Sequence, residues 1–148
     1  KRNATITTAE SCTGGLISGR IVNASGASGV FHQAFVTYSN EAKERLLGVA
    51  SETISDYGVV SRQTAAEMAA GVAKTAHTTI ALSSTGVAGP DGGTKEHPVG
   101  DVYLGCCYNG SVMTQHMLGC GSRTEIRQQA VAAAFSLLEK MLTEEKIL

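Results

Sequence analysis

Hydrophobic and polar positions along this chain alternate between a two-residue period and a helical one. The opening ATITTA is short and rich in β-branched residues, and the polar cluster Glu10–Thr13 bounds it. That predicts a strand at about Thr5–Ala9. After Gly15, Leu16, Ile17 and Ile21 fit one helix face that ends near NASGASG. VFHQAFVTYS predicts a second strand ending at Tyr38 or Ser39. NEAKERLLG predicts a short helix capped by Asn40, with Glu41 in its first turn and Gly48 as its stop. SETISDYG adds a turn for which Ser51 is the expected cap. From Ser61 to about Thr75, Ala65, Ala69, Val72 and Ala76 keep helical spacing, with Ser61 as the cap.

TTIALSSTG is a nearly continuous β-type run, as in a buried strand. It leads into a long glycine-rich loop, Thr85 to Thr94. VGDVYLGCCYNGSVMTQHML reads as a hairpin, because Asn109-Gly110 is a favoured two-residue turn. Ser122, with Glu125 three residues on, is a capping box opening the last helix. Its apolar stripe is Ile126, Ala130, Ala133, Leu137 and Met141. The order β-α-β-α-α-β-β-β-α predicts an α/β/α three-layer domain, and the hairpin forces at least one antiparallel pairing into its sheet.

Composition narrows the classes. The chain has 148 residues, 43% of them hydrophobic and 17% charged, enough for one compact core. Its net charge of −1 offers no basic field for nucleic acid or anionic lipid. No apolar run is long enough to span a bilayer. KRNATITTAE lacks the apolar centre of a secretory signal, and no Met opens the chain, so a preceding helix or domain is left open. Cys12, Cys106, Cys107 and Cys120 form no CxxC and read as small hydrophobes of a reduced, cytoplasmic protein. Cys106 and Cys107, adjacent in a strand, should point to opposite faces. The histidines at 32, 77, 97 and 116 have no ligand-like spacing, so no metal site is expected.

Three stretches carry candidate chemistry. In TAESCTGG, Ser11 ends the first strand just before a helix, where ligands of open α/β sheets collect. Backbone N–H groups from Cys12, Thr13, Gly14 and Gly15 could hold an oxyanion there. Equally, Ser11 or Thr13 could simply cap the helix. GxSxG and SxxK are both absent. Cys12 is a rival nucleophile, since a helix N-terminus lowers a thiol pKa. In YSNEAK, a desolvated Lys43 could take the serine proton and Tyr38 could relay it; alternatively Lys43 is solvated and Tyr38 is core. The loop TGVAGPDGGT suits an anion but lacks the Walker pattern. Arg123 and Arg127 start the last helix against its dipole, which a bound phosphate would offset.

Together, TAESCTGG, YSNEAKERLLGV, STGVAGPDGGT, PVG and SRTEIR resemble, in order, the CinA C-terminal domain family, whose members include bacterial nicotinamide-nucleotide amidases. The resemblance implies an α/β/α sandwich on a mixed, mostly parallel five-stranded sheet. It implies hydrolysis of the carboxamide of nicotinamide mononucleotide to nicotinate mononucleotide and ammonia, without a cofactor. It places the nucleophile at Ser11, with Lys43 and Tyr38 as its partners. Thr85, Gly86, Arg123 and Arg127 fall to the nucleotide pocket. The chain departs from the family at Gly121-Ser122-Arg123, where Gly-Asp-Arg is usual, and at His97, where lysine is common. The expected partner is a small nucleotide, not nucleic acid or membrane, and self-association is left open. A pocket that binds a pyridine nucleotide without turning it over is the alternative. A structural role in DNA uptake, suggested by the family's name, finds no support in the charge balance.

Overall fold

The structure, a computed structural model, describes residues 3–146. Five strands form one mixed sheet in the order β2-β1-β3-β4-β5. They are β1 (Ile6–Glu10), β2 (Phe35–Val36), β3 (Ile80–Gly86), β4 (Asp101–Tyr108) and β5 (Ser111–Leu118). β1 pairs in parallel with β2 and with β3, while β3–β4 and β4–β5 are antiparallel. Four strands therefore run one way and only β4 is reversed. Its reversal follows from the Asn109-Gly110 turn, where both residues have positive φ (46° and 88°) as a tight hairpin requires.

The helices are α1 (Leu16–Val22), α2 (Asn40–Leu47), α3 (Ser51–Tyr57), α4 (Arg62–Ala76) and α5 (Arg123–Glu144). Two apolar clusters lie on opposite faces of the sheet. One joins Ile17 and Ile21 of α1 to Leu82, Leu104, Cys106 and the α5 residues Ile126, Ala130, Ala134, Leu137 and Met141. The other joins Leu47 of α2 and Met68, Ala69 and Val72 of α4 to Ala9, Ala81 and Cys107. Cys106 and Cys107 thus belong to different cores, as their adjacency in a strand predicts. On α5, Ala134 takes the fully buried place, while Ala133 is half-buried. No helix among the described residues is long and apolar enough to cross a membrane.

Several local expectations shift. The second strand is only two residues long; upstream, Phe31 makes an isolated bridge to Ile6, and the Gln33 carbonyl accepts the Thr7 hydroxyl instead of extending the ladder. Ser39, not Asn40, caps α2, because Ser39 is still extended and its hydroxyl accepts the Ala42 N–H at 3.1 Å. Ser51 does not cap α3; it is the first helical residue, and Glu67 of α4 accepts the Ala50 N–H at 2.9 Å. Ser61 and Ser122 cap α4 and α5, the latter with its reciprocal Glu125 bond.

Candidate active site

β1, β2 and β3 end at the same edge of the sheet. The chain leaves β1 for β2 on one side and later returns to β3 on the other, so β1 and β3 flank a topological switch point. A cleft of about 280 Å³ opens there. Ser11 and Cys12 after β1, Tyr38 after β2, Lys43 of α2, Thr85 and Gly86 at the end of β3, Asp91 of the glycine-rich loop and Arg123 of α5 all line it. At Gly86 a Cβ would come within 2.6 Å of the Asp101 carbonyl oxygen, so this wall is backbone on backbone.

Ser11 and Lys43, 32 positions apart in the chain, meet in this cleft. The Lys43 Nζ lies 3.2 Å from the Ser11 Oγ and donates to the Thr37 carbonyl at 2.8 Å. Lys43 is only 1% exposed. The helix that Ser39 caps carries Lys43 on its buried face, where its amine reaches the Ser11 that follows β1. Among the described residues no carboxylate lies within ion-pair distance of it. Burial pushes its amine below the ordinary lysine value, partly offset by the nearby Cys12 thiol. The Thr37 hydroxyl beside it is fully buried and has no hydrogen-bond partner among the described residues.

Cys12 lines the cleft, but burial pushes its thiol up to about 11. It is 5% exposed and stays protonated at neutral pH, which overturns the expectation that the helix terminus activates it. Burial is the main cause, and Glu10 adds to it. Its fully buried carboxylate already occupies the N-terminus of α1, accepting the Ile17 and Ser18 N–H groups at 2.8 and 3.0 Å, the Ser18 hydroxyl at 2.6 Å and the Thr13 hydroxyl at 2.6 Å. Neither Ser11 nor Thr13 caps the helix; the residue at that position is Gly15, with φ 103° and no side-chain bond. Sequence reasoning missed this role for Glu10. The signal was an acid next to the helix start, but on the strand side of the turn.

The remaining candidates separate into two groups. Arg123 and Tyr38 sit at the mouth: Arg123 donates to the Gly89 carbonyl at 2.7 Å and to the Tyr38 hydroxyl at 3.0 Å. Tyr38 is 62% exposed, and its hydroxyl is on Arg123 and not on Lys43 or Ser11. Thr85 lines the cleft, its hydroxyl donating to the Val59 carbonyl at 2.8 Å. Thr13, Gly14 and Arg127 lie behind the cleft. The Thr13 hydroxyl is shared between Glu10 and Ser84, and Arg127 donates to the Cys12 and Thr13 carbonyls, both at 2.9 Å. Gly14 has φ 55°, and a Cβ there would stand 3.2 Å from the Arg127 Nη2. The Arg127 charge near the start of α5 is met by these two backbone carbonyls. His97 is held by Asp101. Among the described residues no three His, Cys, Asp or Glu side chains are grouped to hold a metal ion.

A charge-neutral nucleophile, a desolvated amine in contact with it and one guanidinium at the rim suit acyl transfer from a small anionic ligand. Comparison with known proteins agrees with the fold. Residues 1–142 match the model of the CinA C-terminal domain. A Clostridium acetobutylicum protein is 55% identical over 140 residues, covering 95% of this chain and 34% of that protein. A CinA-like protein of Kosmotoga olearia is 51% identical over 142 residues, 96% of this chain and 34% of its own length. The chain thus spans about a third of these curated relatives. The competence/damage inducible protein CihA of Agrobacterium tumefaciens superposes with a TM-score of 0.90 at 45% identity, covering 93% of this chain and 85% of that one. A CinA superfamily protein of Klebsiella pneumoniae gives 0.92 at 34% identity, over 97% and 89%. From the family match and these likenesses, the chain belongs to the CinA C-terminal domain family.

Proposed function

We propose that the domain is a serine amidase that hydrolyses the carboxamide of nicotinamide mononucleotide to nicotinate mononucleotide and ammonia. The observation that carries this reading is the buried, carboxylate-free amine of Lys43 at 3.2 Å from the Ser11 Oγ. An uncharged amine there accepts the Ser11 proton as the oxygen adds to the carboxamide carbon. Backbone N–H groups of the turn after Ser11 hold the oxyanion. As the intermediate collapses, Lys43 returns that proton to the leaving nitrogen, and ammonia departs. Water, deprotonated by the same amine, then cleaves the acyl-serine and regenerates Ser11. Arg123 at the rim binds the phosphate, exchanging the Gly89 carbonyl or the Tyr38 hydroxyl for it. The cleft, about 280 Å³, is near the lower end of small-ligand sites, which begin around 300 Å³.

The test is ammonia release from nicotinamide mononucleotide by the native protein and by Ser11→Ala and Lys43→Ala. Each variant should lose about 10³-fold or more in kcat, because nucleophile and base act as a unit. Native rates in both variants end the proposal. A nucleotide-binding sensor is the second reading. It is favoured by the Tyr38 hydroxyl, which faces Arg123 and leaves the Ser11–Lys43 pair without a relay. A ligand-induced rise in Tm with no ammonia formed would select it.

A further inference from the structure

β1 and β3 run side by side in register, with Glu10 opposite Ser84. Both side chains are fully buried and lie on the α1 side of the sheet, where both meet the Thr13 hydroxyl. Ser11, one residue on, turns its hydroxyl to the other side, toward Lys43 of α2. The peptide unit that joins Glu10 to Ser11 is held at both ends: its carbonyl accepts the Thr37 N–H at 2.9 Å, and its N–H donates to the Ser84 carbonyl at 3.0 Å. The chain after Ser11 is tied back through Thr13. A carboxylate only accepts, and a hydroxyl has one proton to give. The Thr13 hydroxyl gives its proton to the Glu10 Oε1 at 2.6 Å. At the 2.7 Å contact between the Thr13 and Ser84 hydroxyls, Thr13 therefore accepts and Ser84 donates. The Ser84 oxygen is left as an acceptor, and the Ser11 N–H makes a second, longer contact with it at 3.4 Å. Protons thus run one way along Ser84, Thr13 and Glu10, and a buried network satisfied in this manner stiffens the backbone that carries it.

We propose that Thr13 is a positioning residue, whose hydroxyl pins the turn after Ser11 to β1 and β3 and so holds the Ser11 oxygen at the Lys43 amine. This rests on the serine-amidase reading above. The residues that line the cleft include neither Thr13 nor Ser84, so a ligand bound there meets neither hydroxyl. Both act on the rate only through where Ser11 stands. The two sides of the sheet then have separate tasks: hydroxyls on the α1 side fix the backbone of the nucleophile, and the amine on the α2 side moves its proton.

The experiment compares Thr13→Val and Thr13→Ser with the native protein in ammonia release from nicotinamide mononucleotide. Valine keeps the branched shape and loses the hydroxyl, whereas serine keeps the hydroxyl. For Thr13→Val, kcat should fall by about 10- to 10²-fold, the order of loss for a nucleophile misplaced by up to about 1 Å. KM should change by less than about threefold, since the cleft wall is untouched. Thr13→Ser should restore most of the rate. A native kcat in folded Thr13→Val, or a loss in Thr13→Ser as large as in Thr13→Val, would overturn the proposal. A change confined to KM would also overturn it, by placing Thr13 against the ligand. Should Thr13→Val fail to fold, Ser84→Ala removes the same link from the β3 side, and the same split between kcat and KM decides. If the native protein releases no ammonia, the amidase reading fails. Fluorophosphonate labelling of Ser11 then still reads the turn. Slower labelling in Thr13→Val than in Thr13→Ser supports the proposal, whereas equal rates, or no labelling of the native protein, overturn it.

Discussion

A protonated amine at Lys43 would carry three N–H donors, and the structure gives it two partners, the Thr37 carbonyl and the Ser11 oxygen. The neutral amine fits better: one N–H goes to Thr37 and the lone pair is free to face the Ser11 hydroxyl. Desolvation favours the same form. The sign for activity follows. On the proposed amidase reading, the amine below its lowered pKa is charged and idle, and above it is free to accept a proton. We therefore expect kcat/KM for ammonia release to rise with pH along a limb set by Lys43, displaced to lower pH than an ordinary lysine near 10.5. Lys43→Arg, which cannot deprotonate, should abolish the limb together with the rate. A limb at the ordinary lysine value would contradict the assignment. The 32-residue separation of the partners left this pairing open: the strand ends at one sheet edge allowed it beside a solvated Lys43, and the ordered likeness to a family favoured it. Glu10 was illegible for another reason. Capping rules look for a side chain at the N-cap itself, and this carboxylate reaches in from the strand before it.

At the scale of elements, α2 holds its position through the absence of a side chain. A Cβ on Gly71 of α4 would overlap the Leu47 carbonyl oxygen at the end of α2. Gly71→Ala must push the two helices apart, and we expect a loss of about 2–3 kcal/mol in urea denaturation, in the range of overpacked cores. Because α2 carries Lys43, turnover of the folded fraction should fall as well, which a purely global destabilisation would not produce. The elements themselves were largely readable. Ser61, Ser122 with Glu125, and Asn109-Gly110 act within a few residues, so the chain shows them directly. β2 was read as too long because its shortness depends on a tertiary contact, the Thr7 hydroxyl on the Gln33 carbonyl.

For the molecule as a whole, the glycine-rich loop is a wall of the cleft, and it returns to the sheet at Asp101. The buried Asp101 carboxylate meets His97 at 2.8 Å and also His116 of β5, whose ring stacks on Tyr103. Its backbone carbonyl accepts the Val87 N–H at 2.9 Å, so one residue ties both ends of the loop to the outer hairpin. Asp101→Asn should weaken the attachment of both imidazoles. We expect a stability loss of about 1–3 kcal/mol, measured by thermal unfolding, together with a larger effect on KM than on kcat. None of this clasp was readable beforehand, because Asp101, His97 and His116 meet only once the hairpin has folded beside β3.

The two apolar clusters carry one more implication. Cys12, next to Ser11, is anchored in the α1/α5 layer, whereas Leu47, one turn beyond Lys43, is anchored in the α2/α4 layer. The sheet between them acts as a spacer, so its packing on both faces sets the gap between the Ser11 hydroxyl and the Lys43 amine. A single methylene added to or lost from either layer can alter that gap by tenths of an ångström while the chain still folds. Catalytic fitness in such a domain should then constrain interior residues that never touch a ligand, and drift in one layer should call for matching drift in the other.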